Sequence, residues 1–376
     1  MKRLLLLAGE ESGAMYAEQI RRAVLRRWPN AEVRGYGDYG FAVGDLAVMG
    51  FVAVLRRIFF FLRVRRTMRR AIDEWRPDVV CTVDYPGMNL KLAAYAKSRG
   101  IRAVHVVCPQ VWAWKRGRIP KIEASVDRLC CFFPFEPALF RPGLAEFVGH
   151  PLRKEEGRRE KEEGEEEGRG KKEGRGKREE GEKLLAVLPG SRVGEIRHHM
   201  ATLLESVSRL RREIPGLRVS IPAANERAKK TIEVEIGRFG GEGGVEVRLG
   251  GARDLLRRAD AAVVASGTAT LEAALAGCPT VLVYKVDPLF AFVARRVITG
   301  VRHVGLANII AEKAGMKCPM PELLQEDFTA DAVAALLKVW LSDPAANADA
   351  RRDLSATVAL LGSGSDSVER IVGNLV

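Results

Sequence analysis

Short apolar runs with no polar alternation recur along the chain. They are Val79-Val80-Cys81-Thr82-Val83, Ala103-Val104-His105-Val106-Val107, Leu184-Leu185-Ala186-Val187-Leu188, Ala261-Ala262-Val263-Val264 and Thr280-Val281-Leu282-Val283-Tyr284. Most have Gly, Pro, Asp or Ser close to an end. A strand covered on both faces needs no polar side, so these runs predict buried parallel strands. Helix-like stretches lie between them, at 14–27, 90–99 and 201–214, with further helices expected around 331–341 and 367–376. Strands alternating with helices predict an α/β fold with a parallel sheet in each half of the chain. The opening Met1-Lys2-Arg3-Leu4-Leu5-Leu6-Leu7-Ala8-Gly9 reads as another such strand running into a glycine turn. Its apolar run is too short for a signal peptide, and Glu10 and Glu11 follow at once. No window offers the ~18 uncharged apolar residues of a membrane-spanning helix.

Residues 153–183 break the pattern. They contain only Lys, Arg, Glu and Gly: twelve basic, twelve acidic and seven glycine positions. With no apolar side chain to bury, the segment cannot offset its ordering entropy. It predicts a disordered or loosely helical insertion between a domain at 1–152 and another at 184–376, whose last helix completes the second domain or crosses back to the first. The insertion is neutral, so the net charge of +13 belongs to the remainder. Such a basic surface suits an anionic partner: nucleic acid, acidic lipid or a phosphorylated substrate. An arginine-rich genome is the bland explanation. Six cysteines without C-x-x-C spacing, several in apolar runs, read as buried thiols rather than a metal or redox site.

Several stretches carry candidate chemistry. Gly9-Glu10-Glu11-Ser12-Gly13 follows a strand and opens a helix, an arrangement that suits anions through exposed N–H groups or serves as a tight turn. Leu188-Pro189-Gly190-Ser191-Arg192 repeats the logic, with an arginine fitted to phosphate oxygens or simply solvated. His198 and His199 nearby read as surface residues. Ser266-Gly267-Thr268-Ala269-Thr270-Leu271-Glu272 places small hydroxyl residues at a helix start. A diphosphate could lie there with Glu272 on ribose hydroxyls; an N-cap followed by an ordinary helical glutamate is equally open. Asp84 follows a strand end, where ligands of open parallel sheets bind, and is a candidate general base or a turn-capping aspartate. Residues 46–66 mix aromatic and aliphatic side chains with arginine clusters, as do Trp112, Trp114, Lys115 and Arg116. Both stretches suit a lipid headgroup region or acyl chains, and both also fit buried helices with solvated flanks.

In this order, these stretches resemble the lipid-A-disaccharide synthase family. The likeness runs through Ala8-Gly9-Glu10-Glu11-Ser12-Gly13, Leu46-Ala47-Val48-Met49-Gly50, Pro77-Asp78-Val79 to Asn89, Val111-Trp112-Ala113-Trp114, Phe133-Pro134-Phe135-Glu136, Val148-Gly149-His150-Pro151, Leu188 to Arg192, Ser266 to Ala273, Leu306-Ala307-Asn308-Ile309-Ile310-Ala311 and Pro321-Glu322-Leu323-Leu324-Gln325-Glu326. The resemblance implies a GT-B fold, two Rossmann-like domains with parallel sheets facing across a cleft. It implies an inverting glycosyltransferase that joins UDP-2,3-diacylglucosamine to 2,3-diacylglucosamine 1-phosphate (lipid X) by a β-1,6 bond and releases UDP. Asp84 matches the base. Gly190, Ser191, Arg192, Ser266, Gly267, Thr268, Glu272, Asn308, Glu322 and Gln325 match the donor side. Gly9, Ser12, Gly13, Met49, Asn89, Trp112, Trp114 and Arg116 fall on the acceptor and membrane side. No cofactor and no metal are implied, and no D-x-D pair stands in the sequence to hold one. The implied partners are the acylated UDP-sugar, the phosphorylated acylated acceptor and an anionic membrane surface rather than nucleic acid. The implied location is cytoplasmic, peripheral on the inner face of the membrane.

The chain departs from the family pattern at Ala14, Gly87 and Cys108-Pro109-Gln110, and in a shortened segment after Arg34-Gly35. These departures lie in the acceptor-facing half. A sugar-nucleotide epimerase or hydrolase on the same scaffold, or a non-catalytic UDP-binding membrane protein, therefore stand as alternatives.

Overall fold

A computed structural model describes residues 1–46, 57–153, 182–239, 244–265, 267–287, 291, 296, 300–364 and 366–376. Met49, Ser266 and nearly all of the charged insertion lie outside these residues, as do the side chains of Ser12 and Thr268.

The chain divides into two compact units, Met1–Gly157 with Leu361–Val376, and Arg158–Leu360. In the first unit the elements run β1 (Arg3–Ala8), α1 (Glu11–Arg27), β2 (Glu32–Arg34), α2 (Val43–Leu46), α3 (Ile58–Trp75), β3 (Val79–Val83), α4 (Pro86–Ser98), β4 (Arg102–Val106), α5 (Ile119–Ser125), β5 (Arg128–Cys131) and β6 (Ala145–Phe147). The second unit runs β7 (Leu184–Leu188), α6 (Val193–Glu213), β8 (Arg218–Ala223), α7 (Glu226–Arg238), β9 (Val245–Leu249), α8 (Ala252–Arg258), β10 (Ala261–Ala265), α9 (Thr268–Leu275), β11 (Thr280–Tyr284), α10 (Leu306–Lys313), β12 (Glu322–Leu324), α11 (Ala330–Ser342) and α12 (Pro344–Ala359). The last helix, α13 (Ser367–Gly373), returns to the first unit.

Each unit holds a six-stranded parallel sheet, ordered β2-β1-β3-β4-β5-β6 and β12-β11-β10-β7-β8-β9. The central strands are buried along their length, as non-alternating apolar runs require. In both sheets the chain first builds outward on one side and then crosses back. The order therefore reverses between β1 and β3, and between β7 and β10. At such points the loops leaving the strands diverge and open a crevice at the carboxyl edge. Asp84 follows β3, and Gly190 to Arg192 follow β7, so each lies at a reversal.

Helix α13 closes the first unit. Val368, Ile371, Val372 and Leu375 are buried. Polar contacts fasten its rim: Arg26 meets Glu369 at 3.2 Å and Arg370 meets Glu146 at 2.7 Å.

Candidate active site

At the first reversal, the chain leaves β3 through Asp84 and Tyr85, both left-handed with φ of 50° and 51°. Such conformations cost L-residues on the order of 1 kcal/mol or more and persist only where the surroundings hold them. Here three groups do. The Asp84 N–H donates to the Val106 carbonyl at 2.9 Å. Its carboxylate Oδ1 accepts the Tyr85 N–H at 2.8 Å. The buried Asn89 amide lies 2.8 to 3.1 Å from the carbonyls of Leu7, Val83 and Asp84, and its Oδ1 accepts the Tyr36 hydroxyl at 2.7 Å. Asn89 thus ties together the ends of β1 and β3 beneath the aspartate.

The two glycines of the first turn lie against this packing. A Cβ at Gly9 would stand 2.4 Å from the Tyr85 ring, and one at Gly13 3.6 Å from the Asp84 Cβ. The absence of a side chain at Gly9 is what lets this turn lie against Tyr85, whereas a Cβ at Gly13 would make ordinary van der Waals contact. Burial raises the Asp84 carboxyl above the ordinary aspartate range, and the Tyr85 N–H only partly opposes this. A half-buried carboxylate at a strand end, hungry for a proton, has the properties of a general base.

The aromatic stretch after β4 is split. Trp112 is buried, its indole N–H donating to Glu136 at 3.0 Å, whereas Trp114 is 37% exposed with Lys115 over its ring. Arg116 is exposed. Of these, the outward-facing groups are Trp114 and the cations. Glu136 received no role in the sequence reading, yet it joins the β4 and β5 loops, since its second oxygen accepts the Phe133 N–H at 3.1 Å. Burial pushes its carboxyl up to about 8 despite these donors. Cys108 and Cys131 lie beside it, and the ligand atoms of the three fall within 4.8 Å of one another. The hydrogen bond to Cys131, with burial, pushes the Cys108 thiol up, and the three side chains link two loops. Five of the six cysteines are buried thiols, and Cys318 is half-buried.

In the second unit, Gly190 takes φ of 113°, and a Cβ there would meet Glu195 Oε2 at 2.8 Å. This turn delivers Ser191 and Arg192 to the start of α6, both exposed. Arg192 donates to Glu195 at 2.6 Å, which holds the guanidinium over the helix N-terminus. Gly267, with φ of 134°, caps α9 beyond β10, and its carbonyl accepts the Thr270 hydroxyl at 2.8 Å. One turn on, Glu272 accepts from Arg253 at 3.1 Å. Arg253, from α8, is thus a partner of Glu272 that local pattern does not reveal.

Asn308 and Glu322 come together directly, at 2.8 Å. Glu322 also accepts the N–H groups of Val304 and Gly305 ahead of α10, at 2.9 and 3.0 Å, and the Asn308 amide bonds both backbone groups of Met320. The Gln325 amide faces both backbone polar groups of Val286, at 3.1 and 3.2 Å in the orientation that pairs donor with acceptor. These three side chains brace the loops rather than stand free.

One expectation is corrected. His199 is not a surface residue: it is fully buried, because its second-turn position on α6 faces the sheet, while His198 points to solvent. Its Nδ1 lies 2.8 Å from the Pro189 carbonyl, and its Nε2 accepts the Lys285 N–H at 3.0 Å.

The sequence matches the profile of the lipid-A-disaccharide synthetase family over residues 4–368. The chain belongs to that family. It is a glycosyltransferase of the group that forms the lipid A disaccharide. It is 37% identical to the lipid-A-disaccharide synthase of Chromohalobacter salexigens over 91% of this chain and 88% of that one. With the lipid-A-disaccharide synthase of Geobacter sulfurreducens it shares 35% identity over 99% and 96%. The fold is that of GT-B proteins. A UDP-GlcNAc 2-epimerase from Neisseria meningitidis, solved bound to UDP-GlcNAc, matches with TM-score 0.64 at 12% identity, over 100% of this chain and 99% of that one. The Methanocaldococcus jannaschii UDP-GlcNAc 2-epimerase, solved with UDP-GlcNAc and UDP, matches with TM-score 0.55 at 14% identity, over 99% and 98%. Among the described residues no helix is long and apolar enough to cross a membrane.

Proposed function

We propose that the enzyme transfers 2,3-diacylglucosamine from UDP to the 6-hydroxyl of 2,3-diacylglucosamine 1-phosphate, forming the β-1,6-linked disaccharide with inversion. Asp84 takes the hydroxyl proton as the acceptor oxygen attacks the anomeric carbon. The bond from that carbon to the diphosphate breaks on the opposite side, and UDP leaves. Arg192 and the N-termini of α6 and α9 stabilise the charge that grows on the diphosphate, and Glu272 receives the ribose hydroxyls. The observation that carries this reading is the desolvated Asp84 carboxylate, held by Asn89 at the sheet reversal.

The exposed face of α3 supports an acceptor drawn from a membrane. Ile58, Phe59 and Leu62 are 43%, 82% and 43% exposed, and Arg63 and Arg66 beside them are exposed as well. An apolar face rimmed by cations suits an anionic lipid surface.

The test is direct. Purified enzyme is incubated with both lipid substrates and excess chelator, and UDP and disaccharide are followed by mass spectrometry. Disaccharide formation should fall about 10²–10⁴-fold in Asp84→Asn and strongly in Arg192→Ala. UDP release without disaccharide would overturn the acceptor assignment; full activity of Asp84→Asn would overturn the base.

A further inference from the structure

Lys285 directly follows β11, and its carboxyl-edge position places it two strands from the Gly190 turn, with the β10 loop between. Its backbone is held from two sides. His199 spans from the Pro189 carbonyl to the Lys285 N–H, so one imidazole ring and two hydrogen bonds separate these residues. The next residue, Val286, is held by Gln325. Nδ1 lies against the Pro189 carbonyl, and Nε2 lies 3.0 Å from the Lys285 N–H and 3.2 Å from the Lys285 carbonyl oxygen. Burial lowers the pKa of the ring from the ordinary histidine value. Two side chains from separate elements, α6 and the turn after β12, thus fasten two successive residues of a surface loop.

The Lys285 side chain is itself exposed, and no ion pair or hydrogen bond engages its ammonium among the described residues. A fastened backbone carrying an uncommitted cation on a four-carbon stem, beside a turn that already presents Arg192, is an arrangement for a multiply charged anion.

We propose that Lys285 is a second cationic residue for the donor's diphosphate, opposite Arg192 across the β10 loop, and that His199 is the positioning residue that keeps it there. This rests on the reading that the diphosphate binds at the Gly190–Arg192 turn. It makes Lys285 a point charge for the leaving group and gives Gln325 a reason to grip Val286.

Titration calorimetry with UDP and with uridine tests it, alongside steady-state kinetics. Lys285→Ala should weaken UDP about 10- to 100-fold, as loss of one charged hydrogen bond does, and leave uridine unchanged. Lys285→Arg should recover most of the loss, and the ionic-strength dependence of UDP binding should flatten in Lys285→Ala. His199→Ala should weaken UDP in the parent but add little in the Lys285→Ala background, because the two act as a unit. Equal losses for UDP and uridine in Lys285→Ala, or fully additive effects of the two substitutions, would overturn the proposal. Arg192→Ala separates the levels. If it weakens UDP while Lys285→Ala does not, this inference alone fails; if it leaves UDP binding intact, the donor-site reading beneath it fails.

Discussion

Asp84 concentrates the chemistry of the first unit in one side chain, and its environment makes a signed prediction. Burial raises its pKa above the ordinary value of about 3.9. The base form is therefore populated only at pH above that raised value, so the acid limb of kcat/KM lies above the ordinary carboxylate range. A limb at ordinary carboxylate pH would sink the assignment. The same shift acts on stability. The folded state holds the proton more tightly than the unfolded chain, so stability falls as pH rises from about 3.9 through the raised folded pKa. Asp84→Asn removes that loss, keeps an oxygen for the Tyr85 N–H, and suits the left-handed backbone. At neutral pH the variant should melt no lower than the parent while losing turnover. A melting temperature several degrees below the parent would show that the carboxylate holds the turn together instead.

Among the elements, α3 has a divided surface. Val64, Met68, Ala71, Ile72 and Trp75 pack into the core, whereas Ile58, Phe59 and Leu62 face outward. Exposed groups contribute little to folding, so Phe59→Glu with Leu62→Glu should leave the melting temperature within a few degrees. If this face meets lipid, the double variant should lose sedimentation with vesicles containing anionic phospholipid and show a raised KM for vesicle-borne acceptor. Unchanged vesicle binding would remove α3 from the membrane contact. The helices also show the limits of local pattern. The fourth begins at Pro86 and α6 at Val193, several residues before the apolar periodicity at 90 and 201 suggests, although Met88 and Ile196 in those opening turns are already buried in the cores. Strands β2, β6 and β12 span three residues each, too short for a run to register.

For the whole molecule, the two units have separate cores, yet the first is finished by the end of the chain. Removing 361–376 strips out Val368, Ile371, Val372 and Leu375, all buried. At about 1.5–3 kcal/mol for each side chain, the loss rivals the 5–15 kcal/mol stability of a typical domain. The truncated protein should lose the cooperative melting of its first unit by calorimetry; an unchanged transition would show that the helix is dispensable. The insertion is the opposite case. Closing a loop costs only about 0.6 kcal/mol per doubling of length. Replacing 153–183 by a short Gly-Ser link should therefore leave turnover within about twofold, and a tenfold loss would give the segment an active part.

What the sequence determined alone is the layered α/β class, the central strands and the ordered motifs that place the chain in its family. Those depend on runs and turns within a few residues of one another, which is where burial on both faces and left-handed turns leave their mark. The folded structure alone decided how polar side chains are used. His199 meets Lys285 across 86 residues, Glu272 meets Arg253 across 19, and Glu136 meets Trp112 across 24. Whether a histidine or glutamate is buried or solvated depends on partners that only the packing of distant strands brings within hydrogen-bond reach. No local periodicity encodes that.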